Sequence, residues 1–151
     1  MVQGLLQDFA FESDSAVVLP CNEYFDDECA SDTKSSLGAY VNRAFDGSVD
    51  EFVAFVKNEC REKLGPATSQ QKTEAVRAES YGAGRCLLLL NPLRRRTSVA
   101  LVSTTTQRMG QGLASQISFL FAGMRELVTK LADARLNEVV MPVMGGGSRS
   151  D

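Results

Sequence analysis

Four short runs constrain this chain most: "AVVLP" at 16–20, "RCLLLLN" at 85–91, "SVALVST" at 98–104 and "EVVMPV" at 138–143. Three of them are apolar at nearly every position instead of at every second one. A strand with one wet face alternates, whereas a strand without alternation is covered on both faces. "GLLQDFAF" at 4–11 is a weaker fifth candidate. Between the runs lie segments with helical spacing. "SLGAYVNRAF" at 36–45 is short and amphipathic, and 48–65 opens with Ser48 and Glu51 at capping-box spacing and stops at Gly65-Pro66. From about Leu113 to Ala134, apolar residues recur at three- and four-residue steps, including Ile117, Phe121, Leu127 and Val128. "GPATSQQKTE" at 65–74 is polar and reads as a surface connection. Strands alternating with helices predict an α/β layered sheet.

Composition excludes several chemistries. At 151 residues the chain fits one domain with a proper core, and its net charge of −3 argues against a broad nucleic-acid surface. The local "LRRR" at 93–96 reads as a solvated turn before it reads as a phosphate contact. There is no histidine, which removes Ser/His and Cys/His nucleophile pairs and most catalytic zinc sites. The four cysteines, Cys21, Cys29, Cys60 and Cys86, show no C-x-x-C spacing, so reduced thiols and a cytoplasmic location are expected. Cys21 and Cys86, bordering apolar strands, are expected to be buried. The longest apolar stretch is too short for a membrane span, and no cofactor or membrane partner is expected.

Ligands of α/β sheets gather where loops leave the carboxyl ends of strands. Three loops qualify: the one beginning at Cys21 and Asn22, the Ser/Gly turn of "KSSLGAYV" at 34–41, and the terminal Gly145, Gly146 and Gly147. A turn opening a helix offers unpaired N–H groups to a phosphate, and consecutive glycines can fold into a nest of donors. Gly38 serves equally for a close helix–sheet contact, and a terminal glycine run serves equally as a flexible end. Glu23, Asp26, Asp27, Glu28 and Asp32 cluster after the first strand. They match no EF-hand spacing and read as a solvated acidic loop, with no metal site expected. "STTTQ" at 103–107 offers hydroxyls for hydrogen bonding.

In order, these loops resemble the macro domain, the ADP-ribose-binding α/β fold. "VLPCN" is similar to that family's strand ending in Asn-Ala-Ala-Asn, with Asn22 matching the second asparagine, which faces the distal ribose, and Leu19 replacing the first. "SSLGAYVNRAF" resembles the loop entering a helix through Gly-Ala-Ile, with Gly38 and Ala39 matching and Arg43-Ala44 echoing the family's Arg-Ala-Ala. "LVTKLADARLNEVVMPVMGGGS" resembles the late helix, proline-bearing strand and phosphate loop. The likeness spans roughly residues 16 to 148.

The resemblance implies a three-layer α/β/α domain with a mixed central sheet. It implies binding of ADP-ribose or a related nucleotide diphosphate through Asn22, Ser36, Leu37, Gly38, Ala39, Gly145, Gly146 and Gly147, with Asp14 near the adenine. Two alternatives stand beside it: an ADP-ribosyl hydrolase acting on modified protein, without a protein nucleophile, and a ligand-free structural or interaction domain. The family's strand and helix beyond the last phosphate loop have no counterpart, so residues 1–151 are expected to form a single domain cut short at its C-terminus. "EVVMPV" is expected to be a central or near-central strand beside "AVVLP".

Overall fold

The computed structural model describes residues 15–25, 36–45, 49–90, 92, 98–110, 112–136 and 138–140. In chain order the elements are β1 (Ser15–Asn22), α1 (Ser36–Ala44), α2 (Val49–Lys63), β2 (Thr68–Gln71), β3 (Arg77–Ser80) and β4 (Cys86–Leu89). They continue with β5 (Ser98–Arg108), β6 (Gly112–Ser115), α3 (Ile117–Ala134) and β7 (Glu138–Val140).

The main sheet runs β4-β5-β1-β7, with β6 on the far end of β5. β1 pairs in parallel with both β5 and β7, while β4 and β6 run antiparallel to β5, so the sheet is mixed. Thr105 has Asn22 across one edge and Ser115 across the other, which puts β6 on the same edge of β5 as β4.

Alternate residues of the strands feed two cores, which is why the runs carry no polar face. Val17, Leu19, Leu87, Leu89, Val99 and Leu101 pack with Leu37, Tyr40 and Val41 of α1 and with Phe52, Val56 and Cys60 of α2. On the other face Val18, Cys86, Leu88, Ala100 and Val102 pack with Leu127, Met124 and Leu131 of α3. This is the expected α/β/α sandwich. Each fully buried aliphatic side chain contributes about 1.5–3 kcal/mol relative to exposure. α3 comes closest at Gly123, where an added Cβ would lie 2.3 Å from Val102 Cγ1.

Four expectations need correction. The polar stretch 65–74 is not merely a connection. Its residues 68–71 form β2, which pairs antiparallel with β3 from Thr68↔Ser80 to Gln71↔Arg77. The last helix begins at Ile117 rather than near Leu113, because residues 112–115 fold back as β6 through a turn in which Gly110 takes a φ of 85°. The apolar stripe of α3 is also wider than the face the sheet covers. Leu127 is buried, but Ile117, Phe121 and Val128 are 69%, 65% and 63% exposed. Finally, β7 lies beside β1 as expected, yet among the described residues it is the last strand of the sheet, with Val139 39% exposed. Cys21, Cys60 and Cys86 are buried free thiols, and Cys29 lies outside the described residues. Among the described residues no helix is long and apolar enough to cross a membrane.

Candidate functional site

Because β1, β5 and β7 are parallel, their carboxyl ends share one end of the sheet. β1 leads to α1 on one face, and β5 leads through β6 to α3 on the other. Diverging connections of this kind open a crevice at the strand ends. The β1/β5 side of that crevice is filled by Glu23.

Glu23 is fully buried directly after β1. Its carboxylate accepts hydrogen bonds from Ser80 Oγ at 2.6 Å, the Gln107 N–H at 3.0 Å and Arg108 Nη2 at 2.9 Å. Its own N–H donates to the Thr105 carbonyl at 3.0 Å, and its carbonyl accepts from the Tyr81 N–H at 2.9 Å. Burial pushes the carboxyl group up, but the hydrogen bonds from Arg108, Ser80 and Gln107 outweigh it and hold the group below its ordinary value. One side chain thus ties β1, the β2–β3 hairpin and the extension of β5 together. Tyr24 adds a bond from its hydroxyl to the Gln107 carbonyl, and Lys72 Nζ sits 5.2 Å from the centre of the Tyr24 ring. Ser103 does similar work nearby, accepting from the Arg85 N–H at 3.0 Å and donating to the Gly82 carbonyl at 2.9 Å. Of the hydroxyls of 103–107 expected to serve hydrogen bonding, that of Ser103 does so.

Of the expected ligand residues, Asn22 and those opening α1 lie at the end of β1. Asn22 closes β1 almost buried, and its Oδ1 accepts the Tyr24 N–H at 2.9 Å, an Asx turn that brings Phe25 to a φ of 50°. α1 begins at Ser36, with Leu37 and Gly38 buried and Ala39 half-buried. Leu37 is therefore a core side chain, and what its position offers a ligand is the backbone N–H of a first helical turn. Cys21 and Leu37 line one apolar gap together with Phe25 and Phe52, of about 10 Å³. The end of β1 and the start of α1 therefore do converge. The volume of that gap is about that of a single water, too small to admit a nucleotide.

Asp14, Gly145, Gly146 and Gly147 lie outside the described residues, as do Asp26, Asp27, Glu28 and Asp32. Glu23 is removed from the solvated acidic loop expected of it, because the sheet end encloses it. Its neighbours in sequence carry no signal of this, since its partners lie 57 and 85 residues further along. Among the described residues no group of three or more His, Cys, Asp or Glu is placed to hold a metal ion.

A three-layer α/β/α sandwich with a mixed sheet and a strand-end loop beside a helix N-terminus is the architecture of a macro-type domain. The family model described as "Thoeris protein ThsA, Macro domain" matches residues 7–150. The chain belongs to that family. No curated protein and no solved structure matches it.

Proposed function

We propose that this domain binds ADP-ribose or a related nucleotide diphosphate across the carboxyl ends of β1 and β7, facing the first turn of α1. Macro domains as a family support an ADP-ribose-related ligand. The observation that carries the reading is the parallel register of β1 and β7, Ala16↔Val139 and Val17↔Val140. It points β7 toward the same sheet end as Asn22, and Gly145–Gly147 follow β7 in the sequence. The diphosphate would then meet glycine N–H groups on one side and the N–H groups opening α1 on the other.

Asn22 would present its amide group to the distal ribose, while its Oδ1 stays committed to the turn. A hydrolase reading gains little from the described residues. Glu23 is the acid nearest Asn22, but its carboxylate is buried, bonded by several donors and held ionised, which makes it a poor base. Calorimetric titration with ADP-ribose tests the proposal. Binding with a Kd of roughly micromolar order, about −8 kcal/mol, is expected. Absence of heat at millimolar ligand, with the protein folded, would leave the ligand-free reading.

A further inference from the structure

β4 is an edge strand of the main sheet among the described residues. Its pairing with β5 leaves one edge outward. Ser103 donates its N–H to the Arg85 carbonyl, and in an antiparallel ladder the odd-numbered residues of β4 then bond β5 while Cys86 and Leu88 direct their N–H and C=O groups away from it. An outward edge this apolar invites another strand.

That edge is covered by side chains. Glu126 Oε1 of α3 accepts the Cys86 N–H at 2.8 Å, and Lys130 Nζ donates to the Cys86 carbonyl at 2.5 Å. From the opposite layer, Lys63 Nζ of α2 donates to the Leu88 carbonyl at 3.2 Å. A neighbouring antiparallel strand would give Cys86 one acceptor and one donor from a single residue. Here a carboxylate and an ammonium one helical turn apart, 3.4 Å from each other, give it the same pair. Arg85 Nε holds the other carboxylate oxygen at 3.2 Å, and Glu59 holds Lys63 at 2.8 Å, so the capping groups are themselves braced.

We propose that Glu126, Lys130 and Lys63 act as a surrogate for a missing strand, keeping the β4 edge closed to strand addition by the β4 of a second copy of this chain. The second copy is the fitting occupant because two identical strands meeting antiparallel about a two-fold axis give each other the same groups, and "CLLL" carries no charge to oppose the meeting. The inference is independent of nucleotide binding, because the edge lies on the far side of β5 from β1 and β7.

The test substitutes Glu126→Ala with Lys130→Ala in the full chain. It combines sedimentation velocity over a concentration series with amide hydrogen exchange at Cys86 and Leu88. In dilute solution the Cys86 amide should exchange about tenfold faster or more than in the unsubstituted chain. At higher concentration the variant should associate more strongly than the unsubstituted chain, and both amides should become protected. A folded variant that associates no more than the unsubstituted chain overturns the proposal. So does association that leaves Cys86 and Leu88 unprotected, the result expected if copies meet through Ile117, Phe121 and Val128 instead. Should the double variant not fold, Lys130→Met carries the association half of the test, because it removes one bond to a carbonyl of the edge; Glu126 stays on the Cys86 N–H, so that amide should exchange no faster in dilute solution, and stronger association with protection at Leu88 remains the expected result.

Discussion

Arg108 Nη2 donates to Glu23 Oε1 at 2.9 Å, joining a side chain that is 38% exposed to one that is fully buried. The pair is unequal, and its two halves will not cost the same to remove. Arg108→Met leaves a buried carboxylate with only Ser80 and the Gln107 N–H as partners, and should cost about 3 kcal/mol or more. Glu23→Gln removes the charge and lets Arg108 turn to water, leaving imperfectly paired donors at about 1–3 kcal/mol. Urea unfolding of both variants should show that order, and the double variant should lose less than the sum.

Acid should find the same residue. Glu23 and Glu126 are both held below their ordinary value. The unfolded chain therefore binds protons before the folded one does. Their stabilisation is complete above the unfolded pKa, about 4.3, and drains away as pH falls through the lower folded values. The unfolding midpoint of the unsubstituted chain should drop below that pH. Glu23→Gln should flatten the drop, and a curve unchanged by the substitution would count against the assigned role of Glu23.

Gly123→Ala sets helix propensity against packing. Alanine gains up to about 1 kcal/mol in a helix interior, but its Cβ would sit 2.3 Å from Val102 Cγ1. Overpacking of this kind costs about 1–3 kcal/mol, so a lowered melting temperature is expected, with α3 lifted from β5.

The thiols should be silent. Burial pushes Cys60 and Cys86 up to about 12, and the thiolate is the reactive form. A thiol reagent at neutral pH should leave Cys21, Cys60 and Cys86 unlabelled in the native protein and label them on unfolding. Rapid native labelling at Cys86 would mean the β4 edge opens more readily than its capping bonds imply.

The elements that were legible in the sequence are those whose cause is local. "AVVLP", "CLLLL" and "SVALV" show as strands because both faces are buried, and α2 shows because its cap, period and Gly-Pro stop lie within its own residues. The β2–β3 hairpin was hidden because its residues are mostly polar and half of them exposed, and tertiary ties such as the Met109 N–H to the Gln71 carbonyl help to hold it. β6 was hidden because Leu113 happens to continue the helical period of α3. Of the site, the convergence of β1 with the start of α1 was legible from Asn22 and Gly38. The enclosure of Glu23 was not, since only the folded sheet brings Arg108 and Ser80 to it.

The proposed binding of a nucleotide diphosphate at the β1/β7 end of the sheet can be read residue by residue in an amide-resolved NMR titration with ADP-ribose. Shifts should concentrate at Asn22, Leu37, Gly38 and the amides of Gly145–Gly147, with the β4 edge and α3 unmoved. No shift at millimolar ligand, or shifts gathered along α3 and β4, would contradict it.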